Sequence, residues 1–351
     1  MNIELFSKII FMVVIPFSFV ALFIPVVKKI AFQVGAVDKP RGRHIHKVPT
    51  PKLGGLAIFC GFLLGYMLFG LPSSQMNSIL IGSFIIILTG IIDDIVELKP
   101  IVKFSGQVVA ASIIAIYGGI LLKDVSAFGI YLDFGVLCYP LTIFFILGCI
   151  NCINLIDGLD GLSGGISSIY FLTIGIIATM QGKHGLDFVL TFVMLGSTLG
   201  FLLHNFNPAK IFAGDSGSNF LGFIIAVIAL LGFKNVTMTS LIVPLLLIAI
   251  PILDTLFAII RRTIKGESIS EGDQFHIHHQ LLNKNLSVKA TVLIIYAVDI
   301  LFAFASIIYV LKDRYLGYII YGILLSIVII FVVNTNVIYD FKQTKHNDNS
   351  R

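Results

Sequence analysis

Two adjacent aspartates, Asp93 and Asp94, are the first residues whose type and spacing indicate chemistry. Adjacent carboxylates repel each other, so at least one of them needs a cationic partner or a metal ion nearby. One interpretation is a base or a cation-binding pair. The alternative is a solvated helix end, in which the two charges pair with nearby lysines such as Lys99 and Lys103.

The segment 151–165, NCINLIDGLDGLSGG, carries a polar side chain at every third position from Asn151 to Asp160. On an ideal helix those side chains spread around the axis, so the first and the last would face opposite ways. If the glycines end the helix near Gly158, the last side chains can turn back toward one pocket, where glycine lets backbone N–H groups approach a ligand. A polar seam between membrane helices is the alternative, but two aspartates among glycines favour a ligand pocket.

The segment 205–218 places Asp215 between a glycine and a serine, directly before an apolar run. Its carboxylate is suited to bind a hard cation, and the amide groups that open the following helix could face an anion. Phe212 lies three residues earlier and could stack on a flat ring. The alternative is that Asp215 only caps the helix.

Three histidines, His276, His278 and His279, follow Asp273 in a long polar loop. Such a cluster could bind zinc, could contact phosphate oxygens, or could be an ordinary solvated loop. The segment 38–55 is strongly basic and proline-rich before it reaches a Gly-Gly helix start. It could contact a ligand or only anionic lipid.

The elements that must position these residues are membrane helices. Of the 351 residues, 57% are hydrophobic and only 12% are charged, with a mean hydropathy of +0.99. Soluble domains carry about 25% charged residues, which excludes a cytosolic enzyme, a disordered chain and a conventional nucleic-acid binder. The apolar runs are continuous rather than alternating, which argues against a β-barrel. We therefore predict an all-α, polytopic membrane bundle.

About 10–11 transmembrane helices are predicted, since a span needs roughly 20 apolar residues. Residues 1–338 are expected to form one transmembrane domain, followed by a polar cytoplasmic tail over 339–351. The candidate spans are 5–27, 54–71, 77–92, 104–122, 136–153, 162–180, 187–206, 217–233, 239–260, 288–311 and 315–338.

The distribution of basic residues predicts the orientation. Eighteen of the 24 Lys and Arg residues fall in the loops on one side of this arrangement. That side should be cytoplasmic, which places the N-terminus outside. The acidic residues cluster on the same side, and none is expected at a predicted midplane. This clustering favours an enzyme over the rival interpretation, a secondary transporter with polar groups deep in its spans.

An acidic, metal-capable centre rimmed by Lys, Arg and His suits an anionic ligand, a pyrophosphate with Mg²⁺. The sequence contains no Walker motif and no dinucleotide-binding GxGxxG, so a P-loop nucleotide site is not supported.

These motifs, taken together and in order, resemble the polyprenyl-phosphate N-acetylhexosamine-1-phosphate transferases. Within that family the chain looks closer to the bacterial undecaprenyl-phosphate N-acetylglucosamine-1-phosphate transferases than to the branch that acts on UDP-N-acetylmuramoyl-pentapeptide. The strings that carry the resemblance are DKPRGRHIHKVPTPKLGG, GIIDDIVELKPIVKFSGQ, NCINLIDGLDGLSGG, PAKIFAGDSGSNFLGF, PILDTLFAIIRR and HIHH.

The resemblance implies a Mg²⁺-dependent enzyme, with Mn²⁺ as the alternative metal, held by Asp215 and Asn154. Asp93 matches the family's proposed base and Phe212 would stack on uracil. The implied catalytic residues are Asp93, Asp94, Asp157 and His279. The implied substrate-binding residues are Lys47, Lys103, Asn154, Asp157, Gly158, Leu159, Asp160, Phe212, Gly214 and His278. Gln274 departs from the family pattern, because relatives often carry a basic residue there.

By the same resemblance, the substrates are a UDP-sugar and a polyprenyl phosphate in the lipid bilayer, and UMP is released. The expected reaction transfers N-acetylglucosamine-1-phosphate to undecaprenyl phosphate, as the first membrane step of an envelope polysaccharide or teichoic acid pathway. The same chemistry on UDP-N-acetylmuramoyl-pentapeptide is the alternative. The expected location is the plasma (inner) membrane of a bacterium, with no nucleic-acid partner. Homodimer formation is compatible with the resemblance.

Overall fold

The computed structural model describes residues 3–38, 49–127, 130–182, 184–235, 242–266 and 276–334. Within these ranges the chain is a bundle of α-helices. They are α1 (Ile3–Val34), α2 (Gly54–Phe69), α3 (Ser74–Val96), α4 (Pro100–Ser112), α5 (Cys138–Ile156), α6 (Leu162–Met180), α7 (Leu186–Asn205), α8 (Gly214–Asn235), α9 (Ile242–Leu247), α10 (Ala249–Lys265), α11 (Ile277–Asn283), α12 (Val288–Leu311) and α13 (Arg314–Val333).

Nine helical segments in the described part of the chain are long and apolar enough to cross a membrane. This confirms the prediction of a polytopic all-α membrane protein. A tenth apolar helix, α2, has only 16 residues and a length of about 24 Å. The predicted span 104–122 is α4 extended by a π-helical turn at Ile113–Tyr117. The predicted polar tail lies outside the described residues.

The predicted span 239–260 differs most from the structure. Its described part consists of two helices, α9 and α10, with a break at Ile248. Pro251 lies in the first turn of α10, where its missing amide costs nothing. In a continuous helix, the ring of Pro251 would clash with the carbonyl of Leu247, the residue at which α9 ends. The break therefore follows from a proline that hydropathy alone does not weigh.

Short strands occur at two places among the described residues. β1 (Val37–Asp38) pairs antiparallel with β2 (Thr50–Pro51), and β3 (Asp124–Ala127) pairs antiparallel with β4 (Ile130–Asp133). The β1–β2 pair lies directly before α2. It holds the segment that precedes α8 beside the start of α2, because the amide of Phe212 donates to the carbonyl of Pro51 at 2.8 Å.

The core of the bundle is α8, which is the most deeply buried of the spanning segments. Helices α2 and α3 cross its first turn at very short range. A Cβ built on Gly55 would overlap the backbone of Gly217, and one on Gly90 would overlap the backbone of Ser216. Only glycine permits these approaches, which bring the ends of α3 and α8 together.

One acidic residue corrects the sequence analysis. Asp299 lies at the middle of α12, is fully buried, and neither carboxyl oxygen has a hydrogen-bond partner among the described residues. The statement that no acid occupies a midplane was therefore wrong. Asp299 nevertheless stands apart from the acidic residues at the ends of α3, α5 and α8.

Candidate functional site

A cavity of about 790 Å³ opens where α3 and α5 end and α8 begins. A volume of this size is ordinary for a small-molecule site. Its lining includes these residues named in the sequence analysis: Asp93, Asp94, Lys103, Asn154, Asp157, Gly158, Leu159, Asp160, Phe212, Gly214, Asp215 and His279. Segments that are far apart in the chain thus meet at one place.

Lys103 joins the two acidic motifs. Its Nζ lies 2.5 Å from Oδ2 of Asp93 and 2.7 Å from Oδ2 of Asp215. Asp93 also accepts a hydrogen bond from the amide of Leu98 at 2.6 Å, which fixes its carboxylate at the end of α3. The cationic partner expected for the aspartate pair is therefore this lysine, and it serves Asp215 as well.

Asp94 has other partners than Asp93 and closes the N-terminus of α8. Its two carboxylate oxygens accept from the amides of Asp215 and Ser216 at 2.9 and 3.2 Å, and from the Ser216 hydroxyl at 2.7 Å. A carboxylate at this end also complements the helix dipole. The capping role considered for Asp215 thus belongs to Asp94, and Asp215 is left to face the cavity.

Asn154 reaches Asp215 from the last turn of α5. Its Nδ2 donates to Oδ1 of Asp215 at 3.0 Å and to the hydroxyl of Ser218 at 2.8 Å. Asn151, one step earlier in the polar series, donates instead to Gln107 at 3.0 Å. The polar residues of this helix therefore have different partners, as their helical spacing predicts.

The chain turns sharply after α5 ends at Ile156, close to the end predicted at Gly158. Asp157 accepts from the hydroxyl of Ser163 at 2.5 Å. The pKa of Asp157 is raised to about 8, mainly by burial and also by the charges of Asp215, Asp94 and Asp160, while the Ser163 hydrogen bond opposes the increase.

Asp160, at the other end of that turn, is tied to the segment before Phe212. Its Oδ2 accepts from Nδ2 of Asn207 at 2.9 Å and from the amide of Ala209 at 3.0 Å. The turn at 157–161 and the segment 206–213 therefore form two connected walls of one cavity.

Gly214 joins the second wall to α8 with a φ of +71°. A Cβ there would overlap the carbonyl of Lys52 and the carboxylate of Asp94. Glycine is required at this position by backbone conformation and by space together. Substrate contact by Gly214 stays a prediction.

Asp254 of α10 is a residue that the sequence analysis did not assign. It is buried, and its Oδ2 lies 2.7 Å from Nδ1 of His276 while its Oδ1 accepts from the amide of Ile277 at 2.7 Å. An acid in an apolar helix needs a partner, and that signal was present in the sequence. Asp254 anchors the histidine segment to α10.

His278 and His279 have different environments. His279 lines the cavity, whereas His278 is buried against Gly158, and neither of its ring nitrogens has a hydrogen-bond partner among the described residues. Burial, followed by the neighbouring His279, lowers the pKa of His278 to about 3, so its ring is neutral. Direct substrate contact by His278 stays a prediction, and it would require the ring to leave this position.

The zinc interpretation of the histidines gains no support. Across the described ranges, no three His, Cys, Asp or Glu side chains form a group that could hold a metal ion. Asp273, Gln274 and Lys47 lie outside the described residues, so their roles stay predictions.

Comparison with known proteins identifies similar sequences. The sequence profile described as glycosyl transferase family 4 matches residues 76–233, which run from α3 to α8. A protein of Bacillus subtilis (strain 168), described as a probable undecaprenyl-phosphate N-acetylglucosaminyl 1-phosphate transferase, is 40% identical over 320 residues, covering 90% of this chain and 86% of that protein.

Two further relatives differ in the lipid that their names specify. A decaprenyl-phosphate N-acetylglucosaminephosphotransferase of Mycobacterium tuberculosis (strain CDC 1551 / Oshkosh) is 35% identical, covering 77% of this chain and 74% of its own. An undecaprenyl-phosphate alpha-N-acetylglucosaminyl 1-phosphate transferase of Salmonella typhi is 32% identical, covering 81% and 80%.

Proposed function

The chain belongs to the family of polyprenyl-phosphate N-acetylglucosamine-1-phosphate transferases, and from this membership we propose its reaction. It transfers N-acetylglucosamine-1-phosphate from UDP-N-acetylglucosamine to undecaprenyl phosphate. The products are undecaprenyl-pyrophosphate-N-acetylglucosamine and UMP. The observation that carries this proposal is the similarity to the Bacillus subtilis protein over 90% of the chain, which includes every residue around the cavity.

We propose that the metal is Mg²⁺, held by Asp215 together with Asn154. The support is that Asp215 and Asp93 already bind a cation, the ammonium group of Lys103, at 2.7 and 2.5 Å. Hard carboxylate oxygens suit Mg²⁺, which typically takes one or two protein carboxylates and completes its shell with substrate phosphates and water. When bound, the metal would neutralise negative charge on the phosphates.

The chain's own residues have a limited chemical task. A phosphate monoester is already an anion at neutral pH, because its second pKa is about 6. The main barrier is repulsion between two anionic phosphates, and Lys103 supplies positive charge at that place. Positioning the two substrates is the remaining task. We therefore propose direct in-line attack by the lipid phosphate rather than a covalent aspartyl-phosphate on Asp93.

Stereochemistry distinguishes these two courses. A chiral UDP-N-acetylglucosamine with a labelled, sulfur-substituted reacting phosphorus should give inversion at that atom. Net retention would point to two successive displacements and would rule out the direct course.

The proposed location is the bacterial plasma membrane, with the cavity on the cytoplasmic side. The support is the excess of Lys and Arg in the loops on that side. Both substrates would then be reached from one face, the sugar nucleotide from the cytosol and the lipid phosphate from the bilayer.

Release of UMP by the purified protein tests the reaction. Wild type and Asp215→Asn are incubated with UDP-N-acetylglucosamine and undecaprenyl phosphate, with and without Mg²⁺. We expect the wild type to release UMP only with Mg²⁺, and we expect Asp215→Asn to release none. Activity with UDP-N-acetylmuramoyl-pentapeptide or UDP-N-acetylgalactosamine, but not with UDP-N-acetylglucosamine, would show that the proposed sugar is wrong. Inactivity with all three would contradict the proposal and return attention to transport, for which Asp299 is the residue to examine.

A further inference from the structure

We propose that Tyr296 and Asn205 are positioning residues that hold the two peptide groups on either side of Gly161, and so fix the wall of the cavity that binds the sugar nucleotide. This inference rests on the proposed function. Neither residue belongs to the metal site or to the charged groups described above.

The peptide groups of Gly161 are held from two sides. Its amide donates to Oδ1 of Asn205 at 3.0 Å, and its carbonyl accepts from the hydroxyl of Tyr296 at 2.5 Å. Gly161 has a φ of +82°, a left-handed conformation that ends the 157–161 turn and starts α6. Two side chains from distant elements thus stabilise a backbone conformation that local sequence alone does not enforce.

Asn205 connects both walls of the cavity. While its Oδ1 accepts from Gly161, its Nδ2 donates to the carbonyl of Ile211 at 2.9 Å. Ile211 directly precedes Phe212, and the Asn205 side chain is only 2% exposed. One buried amide therefore sets the separation between the 157–161 turn and the segment that carries Phe212.

Tyr296 extends this support to α12. Its ring packs so closely on α6 that a Cβ at Gly165 would overlap the phenol. The hydroxyl is thereby delivered to the Gly161 carbonyl from a helix that contributes no side chain named in the proposed chemistry. Removing the hydroxyl would take away this hydrogen bond and leave the carbonyl with the amide of Gly165, which donates to it at 2.8 Å.

These contacts predict where a defect should appear. The turn carries Asp157 and Asp160, whereas the metal site is built from Asp215 and Asn154. Loosening the turn should weaken binding of the sugar nucleotide and of UMP. Metal affinity and the KM for the lipid phosphate should not change.

The test uses Tyr296→Phe, with Tyr309→Phe as the matched control. Tyr309 lies on the same helix and is buried, and its hydroxyl is 3.1 Å from that of Tyr318, remote from the cavity. Tyr296→Phe should raise the KM for UDP-N-acetylglucosamine and the Kd for UMP about fivefold, the effect of losing one hydrogen bond. Tyr309→Phe should leave both constants unchanged.

A second variant, Asn205→Ala, keeps the inference falsifiable if one substitution impairs folding. In the double variant, the two increases in KM should combine less than multiplicatively, because both side chains hold the backbone of the same residue, Gly161. Unchanged UMP affinity in active Tyr296→Phe enzyme would overturn the inference, as would equal losses in every kinetic constant. An inactive wild type would instead overturn the proposed function.

Discussion

Three aspartates at one site have three different roles because their partners differ. Asp215 faces the cavity, Asp93 shares Lys103 with it, and Asp94 accepts hydrogen bonds from the first amides of α8. Residue type alone does not distinguish these roles. Each can be tested by a variant that changes a different measurable property.

Asp94→Ala should lower stability before it changes metal binding. It removes the acceptor for two backbone amides and one hydroxyl at the start of α8. Loss of such a cap costs about 0.5–2 kcal/mol. Thermal unfolding in detergent should show a lower Tm. At temperatures below the unfolding transition, the affinity for Mn²⁺ should be unchanged. An unchanged Tm would argue against the capping role.

Lys103→Met should separate metal binding from catalysis. The ammonium competes with a divalent cation for oxygens of Asp93 and Asp215, so removing it should tighten Mn²⁺ binding, about tenfold. Activity should fall on the order of 100-fold, because charge stabilisation is lost. The control is Lys99→Met, which removes an exposed charge one turn away. Weaker Mn²⁺ binding in Lys103→Met would show that the lysine supports the metal site instead.

Asp157 should make stability depend on pH. Its folded-state pKa of about 8 lies above the ordinary carboxyl value, so the folded form retains a proton that the unfolded form releases. Stability from this group is therefore complete below about pH 4 and is lost as pH rises through about 8. In metal-free buffer, Asp157→Asn should flatten the decline in Tm over this range. An equally steep decline in the variant would assign it to other groups.

At the scale of elements, close helix crossings assemble the site. The ends of α3 and α8 meet because Gly90 lies against the backbone of Ser216. The histidine segment is placed by Asp254 of α10, which contacts the His276 ring and accepts from the amide of Ile277. Elements that differ greatly in length thus converge on one cavity.

Gly90→Ala should destabilise the protein by about 1–3 kcal/mol, because the methyl group would force α3 away from α8. The matched control is Gly148→Ala in α5, where a Cβ would meet nothing within 4 Å. That variant should be neutral or slightly stabilising, since alanine favours helix. Both are compared by thermal unfolding and UMP release. Equal behaviour of the two variants would contradict the crossing as the cause.

At the scale of the whole molecule, the cavity proposed for the reaction lies at one end of the bundle. The described helices enclose the cavity at a single end, where the acidic, amide and basic side chains meet. Asp299, midway along α12, is separate from it and has no partner among the described residues. A reaction at one membrane surface fits this distribution better than a path across the bilayer.

The orientation gives a prediction for the whole molecule. With the cavity on the cytoplasmic side, a cysteine placed at Ala209 should be labelled by a membrane-impermeant maleimide only after cells are opened. A cysteine at Gly182, in the turn between α6 and α7, should be labelled in intact cells. The native cysteines in α5 are buried and serve as the background control. The reverse pattern would invert the proposed topology.

The sequence by itself determined the class of protein and most of the cavity. Continuous apolar runs require membrane helices, because lipid offers the backbone no hydrogen-bond partners. Acidic and glycine-rich motifs at the ends of those runs indicated the residues that meet, as Asp93, Asn154 and Asp215 do. These inferences need only local composition and spacing.

The tertiary structure alone decided which side chain does what. Asp94 caps a helix 121 residues away, and Tyr296 holds a carbonyl 135 residues away. The spacing of residues along one helix determines the direction in which each side chain points around that helix. It does not determine the distance from that helix to another. Those distances depend on how closely helices pack, which glycines such as Gly55 and Gly90 set through contacts that only the folded chain contains.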